Sequence, residues 1–315
     1  MPELPDITVY VERLEDLLKG QALGKIRLSS PFLLRSVDPP LSAFEGRVVT
    51  GVLRRGKRIV FAFSGGLHLS LHLMVAGRLH WKAAGAAIPK SNGLMAMDFP
   101  AGTLILTESG TKKRAALLAF PDSASLQGRF PVGLEPQDAT EAQFAAVLRG
   151  ENHTLKRSLT DPRLFSGIGN SYSDEILHSA RLSPVLLTAK ITDAEIKALF
   201  RAVREVLREW TDTLRRESQG GFPEKVTAFR AGMAVHGRYG QPCPVCGSPV
   251  QRIRYAENET NYCPVCQTGG KLLADRALSG LLRKDWPRSL EEMEKLLAKH
   301  QASVAGLPGA GQKPI

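Results

Sequence analysis

Outside one short segment this chain has no cysteine: all four fall between residues 243 and 266. A disulfide framework spread along the fold is excluded, and clustered thiols in a chain of this kind favour a metal. No apolar run approaches the roughly 18 residues of a membrane span. Glu3, Asp6 and Glu12 interrupt the start, where a signal peptide needs an apolar stretch. These absences point to the cytoplasm. There is no internal repeat. Acids are short, 31 Asp and Glu against 42 Lys and Arg, so the net charge is +11. That excess points to a polyanion, nucleic acid first, although a soluble enzyme can also be basic. Apolar residues are not short: at 43% of 315 residues they suffice for one large or two ordinary domains with buried cores.

The opening segment, "LPDITVYVERLEDLLKG", carries Leu4, Ile7, Val11, Leu14 and Leu18 at helical spacing, with Gly20 as a stop. From about 22 to 120 the texture changes to short Val, Ile, Leu and Phe runs separated by Gly, Pro and Ser. "GKIRLSS", "GRVVTGVLRRG", "RIVFAFSGG", "LHLSLHLMVAG", "GTLILTESG" and "AALLAF" read as strands of a sandwich. Residues 121–140 lack a period and read as a linker. A helical pattern follows over 141–235, including a long run from about 191 to 216, then the cysteine segment over 236–285. Residues 286–315 form a C-terminal extension, flexible after about 302.

Cys243, Cys246, Cys263 and Cys266 form C-x2-C, 16 residues, C-x2-C. Two thiolate pairs on tight turns close a tetrahedral S4 site, which suits one zinc ion. With all four positions filled by protein the site is structural. The intervening "SPVQRIRYAENETNY" alternates and turns like a β-hairpin, with Arg252 and Arg254 on one strand face.

In "DPRLFSGIGNSYSDEIL" (161–177), Gly167 and Gly169 permit a tight turn and Asn170 suits a helix N-cap. The N–H groups of such a helix start can hold a phosphate, though an ordinary helix connection would look similar.

Four of these segments together, "MPELPD" at the start, "RRGK" at 54–57, "GIGNSYSDEIL" at 167–177 and "VHGRYGQPCPVCG" with "YCPVCQ" over 235–267, resemble the formamidopyrimidine-DNA glycosylase / endonuclease VIII family, in the family's order. The resemblance spans about residues 1–285. It implies an α+β fold: an N-terminal helix and two-layer β-sandwich, a helical domain with a helix–two-turns–helix, and a C-terminal zinc β-hairpin. It also implies a base-excision-repair glycosylase with AP lyase activity acting on damaged DNA. Removal of Met1 would leave Pro2 with a secondary amine. An α-amino group has a reference pKa of about 7.7–8.0, so part of it is uncharged near neutrality and able to attack C1′ as the base leaves. The likeness assigns the nucleophile to Pro2, proton transfer to Glu3, and contact with phosphate or the damaged nucleotide to Lys57, which Arg54, Arg55 and Arg58 surround. By themselves Pro2 and Glu3 would also suit an ordinary helix start. Lys156 and Asn170 match phosphate-binding positions.

The chain also departs from the family. The usual His-Leu-Gly-Met-Ser-Gly is "HLMVAG" at 72–77, so Val75 takes the wedge position. Met74 falls one residue earlier, on the opposite face if this is a strand. The second filling loop, usually Asp-Pro-Arg-Arg-Phe-Gly, is "SGTKKRAA" at 109–116, with Lys112 at the first arginine position and Arg114 at the phenylalanine. Asn258 replaces a phosphate-gripping arginine, for which Arg254 or Arg252 could substitute, and Asp6 replaces a glutamate. The leading expectation is a monomeric bifunctional glycosylase. The alternatives are a non-catalytic DNA-binding protein on the same scaffold and a zinc-ribbon RNA binder.

Overall fold

The computed structural model describes residues 1–224, 226, 230–255, 258–274 and 287–305. Helix α1 (Leu4–Leu18) opens it and serves two cores. Ile7, Tyr10, Leu14 and Leu18 are buried against the sandwich, whereas Leu4 packs into the second core among Phe165, Ile168 and Tyr172. Full burial of each such side chain stabilises by about 1.5–3 kcal/mol. Tyr10 rather than Val11 is the fully buried residue of the middle turn. Asp6 accepts from the Glu3 N–H at 2.9 Å, and Gly20, at φ 84°, ends the helix as expected.

Strands β1 (Lys25–Leu28), β6 (Gly93–Phe99), β7 (Gly102–Glu108) and β5 (Gly77–Lys82) form one antiparallel sheet in that order. Strands β2 (Val49–Arg55), β3 (Arg58–Phe63), β4 (His68–His72) and β8 (Ala116–Phe120) form the other. The main core lies between them and under α1. Strands β5 and β6 are not among the runs that the sequence marks as strands: "GRLHWK" and "GLMAMDF" hold no Val, Ile or Thr, and Arg, His, Lys, Met and Ala give a weak strand signal despite the Pro, Ser and Asn before β6. A two-residue turn, Gly56-Lys57, joins β2 to β3, with Gly56 at φ 60°.

Residues 73–76 form a turn rather than a strand, with Met74 in the left-handed region at φ 52°. The face-alternation argument for Met74 and Val75 therefore does not apply. The 121–140 segment, read as a linker, contains helix α2 (Ser123–Arg129). Beyond it, Phe130 stacks edge-on against Phe120 and lies 3.7 Å under the Arg58 guanidinium.

Helices α3 (Glu141–Arg149), α4 (Leu155–Thr160), α5 (Asn170–Ser179) and α6 (Asp193–Ser218) enclose the second core. A reciprocal Thr192–Glu195 cap starts α6. This helix stops at Ser218, so the helical pattern ends well before 235. Strands β9 (Gln251–Tyr255) and β10 (Asn258–Tyr262) form the expected hairpin, followed by α7 (Pro264–Thr268). Helix α8 (Leu290–Ala305) runs through 302–305, where the sequence predicts a flexible tail; 306–315 lie outside the described residues. The architecture is α+β.

Candidate functional site

Glu3 caps α1, yet its side chain enters the start of a different helix. Oε2 accepts from the N–H of Gly169 (2.6 Å) and Tyr172 (3.3 Å), and Oε1 from that of Ser171 (2.8 Å). The first N–H groups of a helix have no partner of their own and carry partial positive charge, so an anion is stabilised there. The anion is a carboxylate of the chain, and the phosphate expected at this turn finds those donors taken. Gly169, not Asn170, is the N-cap, and Asn170 is the first helical residue. Both glycines are needed for approach. A Cβ on Gly167, at φ 79°, would lie 2.8 Å from Leu4 Cβ, and one on Gly169 would lie 2.5 Å from Glu3 Cδ and 2.7 Å from Lys57 Nζ. The Leu4 N–H donates to the Gly167 carbonyl at 2.9 Å, pinning the amino-terminal segment to the same turn.

The β2–β3 turn delivers Lys57 to this carboxylate. Burial lowers its pKa, the Glu3 charge opposes that, and Lys156 adds to it. The arginines around it do other work. Arg54 ties Glu135, Ser166 and Gly56 together; Arg55 donates to the Phe130 carbonyl; Arg58 covers the Phe130 ring, and burial pushes its pKa down to about 10. The basic turn thus sends one cation, Lys57, to the site. Beside it His72 is pushed down to about 4 by burial first, then by Arg58 and Lys57, and its Nδ1 accepts from the Met74 N–H at 3.0 Å.

Pro2 is buried, and burial holds the terminal amine of Met1 below its usual pKa, with Arg78 and Lys57 lowering it and Glu3 and Asp6 raising it. Asp6 keeps a full set of partners despite its short side chain: Oδ2 takes the Glu3 N–H and Oδ1 takes Arg230 Nη2 at 2.9 Å. A cavity of about 400 Å³ is lined by Asp6, Val9, Phe222, Glu224 and Arg230 among others.

Lys156 donates to the Asn170 carbonyl (2.7 Å) and to Asp174 Oδ1 (2.5 Å). Asn170 Nδ2 donates to the Glu259 carbonyl of β10 at 2.8 Å, joining α5 to the hairpin. Sequence reasoning missed the residues behind them. Asp174 Oδ2 meets His236 Nδ1 at 2.8 Å, and Glu175 accepts from the N–H groups of Ala234, Val235 and His236. A signal existed: α5 is buried from Ser171 to His178 although Ser171, Ser173, Asp174, Glu175 and His178 are polar. A helix that polar, placed in a core, must spend those groups on specific partners.

The four cysteine sulfurs lie within 4.8 Å of one another, and an all-thiolate set suits Zn²⁺. His178 Nε2 lies 3.2 Å from Cys243 Sγ and links this centre to α5. Arg252 pairs with Glu259 at 3.2 Å and stacks 4.1 Å from the Tyr239 ring, so it is committed within the hairpin; Arg254, on the same strand face, is exposed. Asn258 opens β10 opposite Tyr255; its side chain lies outside the described residues.

Val75 is 57% exposed at the tip of the 73–76 turn, and Met74 is half-buried beside it. Lys112 and Arg114 are both exposed on the 109–115 loop. The buried Glu108 carboxylate organises that loop by accepting from the N–H groups of Arg114 and Ala115.

Three family models match in order: the formamidopyrimidine-DNA glycosylase N-terminal domain over residues 1–113, the H2TH domain of the same enzymes over 132–218, and the zinc finger found in FPG and IleRS over 240–269. With that match and the thiol geometry, the chain carries one structural zinc ion, held by Cys243, Cys246, Cys263 and Cys266. A formamidopyrimidine-DNA glycosylase of Thermus thermophilus is 34% identical over 277 residues, covering 86% of this chain and 100% of the relative. An uncharacterized formamidopyrimidine-DNA glycosylase-like protein of Mycobacterium tuberculosis is 41% identical over 152 residues, 48% of this chain and 94% of its own length. Among solved structures, the Lactococcus lactis enzyme in complex with abasic-site DNA superposes with a TM-score of 0.75 at 26% identity, covering 84% of this chain and 99% of that one. The Thermus thermophilus enzyme gives 0.70 at 32% identity, covering 84% and 98%. With three matching domains in order and a full-length relative at this identity, the chain belongs to the formamidopyrimidine-DNA glycosylase family.

Proposed function

We propose that the protein is a bifunctional DNA glycosylase and AP lyase that removes oxidised bases. The observation that carries the reading is the Glu3 carboxylate, fixed by the amides of Gly169, Ser171 and Tyr172 at the start of α5, beside Lys57 and one residue from Pro2. Removal of Met1 turns the Pro2 nitrogen into a secondary amine in surroundings that already hold a terminal amine below its usual pKa. The uncharged amine attacks C1′ while the C1′–N bond to the base breaks and its electron pair leaves with the base. The Glu3 carboxylate takes the proton that the Pro2 nitrogen loses on attack and passes it to the ring oxygen as the C1′–O bond breaks and the sugar opens, giving an iminium between Pro2 and C1′. The iminium acidifies the C2′ proton. Its loss expels the 3′ phosphate and nicks the strand.

The base must first leave the stack. The cavity beside α1 offers room, with Asp6 and Arg230 as polar groups on its wall. Lys57, Lys156, Lys112, Arg114 and Arg254 supply cations for the phosphate backbone, and Val75 offers an apolar tip for the gap left in the duplex. The named relatives, and a solved relative bound to abasic-site DNA, support damaged DNA as the substrate.

The test uses protein shown by mass spectrometry to begin at Pro2. Borohydride added during reaction with DNA carrying an oxidised base should trap a covalent complex, and Pro2→Gly should abolish most of it. Salt-sensitive DNA binding without trapping or nicking of abasic DNA would instead establish the non-catalytic alternative.

A further inference from the structure

A second hydrogen-bonded chain lies behind the Glu3 cradle. The Ser171 N–H holds Glu3 Oε1, and its Oγ lies 3.1 Å from His236 Nε2. His236 Nδ1 lies 2.8 Å from Asp174 Oδ2, and Asp174 Oδ1 takes Lys156 Nζ at 2.5 Å. An ionised Asp174 can only accept, so the ring donates to it through Nδ1–H, and its Nε2 meets the Ser171 hydroxyl. The connectivity is that of a serine–histidine–aspartate triad. It is not a hydrolytic centre: Ser171 and Asp174 are 3% and 1% exposed, which leaves no access for an acyl group. A buried polar group must be paired, and a fully paired chain of them fixes the geometry of whatever it supports.

Two neighbours make the ring a brace rather than a passenger. Glu175 clamps the backbone that carries His236 by accepting three consecutive N–H groups, so the ring arrives on a fixed mount. On the other side the chain ends at Lys156, whose ammonium also holds the Asn170 carbonyl in the first turn of α5. That turn is therefore gripped at Ser171 and Asn170 by groups from outside the helix.

We propose that His236 is a positioning residue. By holding Ser171 and Asp174 together it keeps the Gly169, Ser171 and Tyr172 amides convergent on Glu3 and keeps Lys156 directed at Asn170. This deepens the proposed function and rests on it for any effect on excision; the structural part stands by itself.

The experiment compares His236→Ala, His236→Asn and His236→Gln in the full chain with zinc bound. Amide hydrogen exchange is followed by NMR, and single-turnover excision is measured on DNA carrying an oxidised base. Asn reproduces the Nδ1 donor to Asp174, and Gln reaches toward the Nε2 position. His236→Ala should speed exchange of the Gly169 and Ser171 amides about tenfold or more while leaving central α6 amides unchanged. It should slow excision about tenfold with a smaller change in DNA affinity. His236→Asn should recover most of both. Wild-type exchange at Gly169 and Ser171 in His236→Ala overturns the proposal, and so does equal loss in the Ala and Asn variants. If the wild-type protein excises nothing, the glycosylase reading fails, yet the exchange comparison still decides whether His236 positions these amides.

Discussion

Gly169 lies beneath the Glu3 carboxylate so closely that a Cβ on it would come within 2.5 Å of Glu3 Cδ and 2.7 Å of Lys57 Nζ. Gly169→Ala must therefore displace the carboxylate, the ammonium or the turn. Excision should fall at least tenfold, with a stability loss on the order of 1–3 kcal/mol. Single-turnover kinetics and urea unfolding on the same preparation measure the two effects, and an alanine variant of full activity would contradict the cradle.

The neighbouring cations should separate by role. Lys57→Ala removes the charge beside Glu3 and should reduce excision about a hundredfold with little change in unfolding midpoint. Arg54→Ala unties Glu135 and Ser166, orphaning a half-buried carboxylate, and should cost on the order of 1–3 kcal/mol of stability. The two variants exchanging these phenotypes would refute the assignment.

His72 gives a pH signature. Its pKa falls from 6.5 unfolded to about 4 folded because burial and the Arg58 and Lys57 charges disfavour the imidazolium. Between those values the unfolded chain binds more protons, so stability rises with pH. The contribution is complete above about pH 6.5 and is lost as pH falls toward 4, with a span of about 3 kcal/mol. His72→Gln should flatten this part of the stability–pH curve, as read by urea unfolding at pH 7 and pH 4.5 in both proteins. Equal slopes would argue that the ring is solvated.

Zinc should stabilise more than its own hairpin. Cys243 reaches α5 through His178, and Asn170 reaches Glu259. Chelation or Cys263→Ser should lower the melting temperature and weaken binding to abasic DNA, and adding zinc back should restore both after chelation. Retained binding with zinc shown absent by atomic absorption would separate the hairpin from the DNA site.

The sequence was most legible where one local rule suffices. Leu4, Ile7, Leu14 and Leu18 at helical spacing marked α1, and the cysteine spacing marked the metal centre. The strands rich in Val, Ile and Leu were readable, whereas β5 and β6 were not, because Arg, His, Lys, Met and Ala give a weak strand signal and pairing with β7 holds them as strands. Long-range partnerships were invisible. Nothing local indicates that Glu3 meets amides at 169–172, that Asp6 meets Arg230, or that Arg55 and Arg58 serve Phe130. The same limit misread Met74: strand alternation was applied to four residues that a left-handed backbone turns into a tip.

Helix α1 begins in one core and continues in the other, so neither half of the molecule owns it. Leu4 is held among the helices and the next three turns among the strands, with Glu3 at the join. Each half could stay folded while the seam between them opens by a few ångströms, but the carboxylate would then leave its amides. Loss of chemistry would precede loss of structure on any path that parts the halves. A dose of denaturant too small to change the circular dichroism should already silence the site.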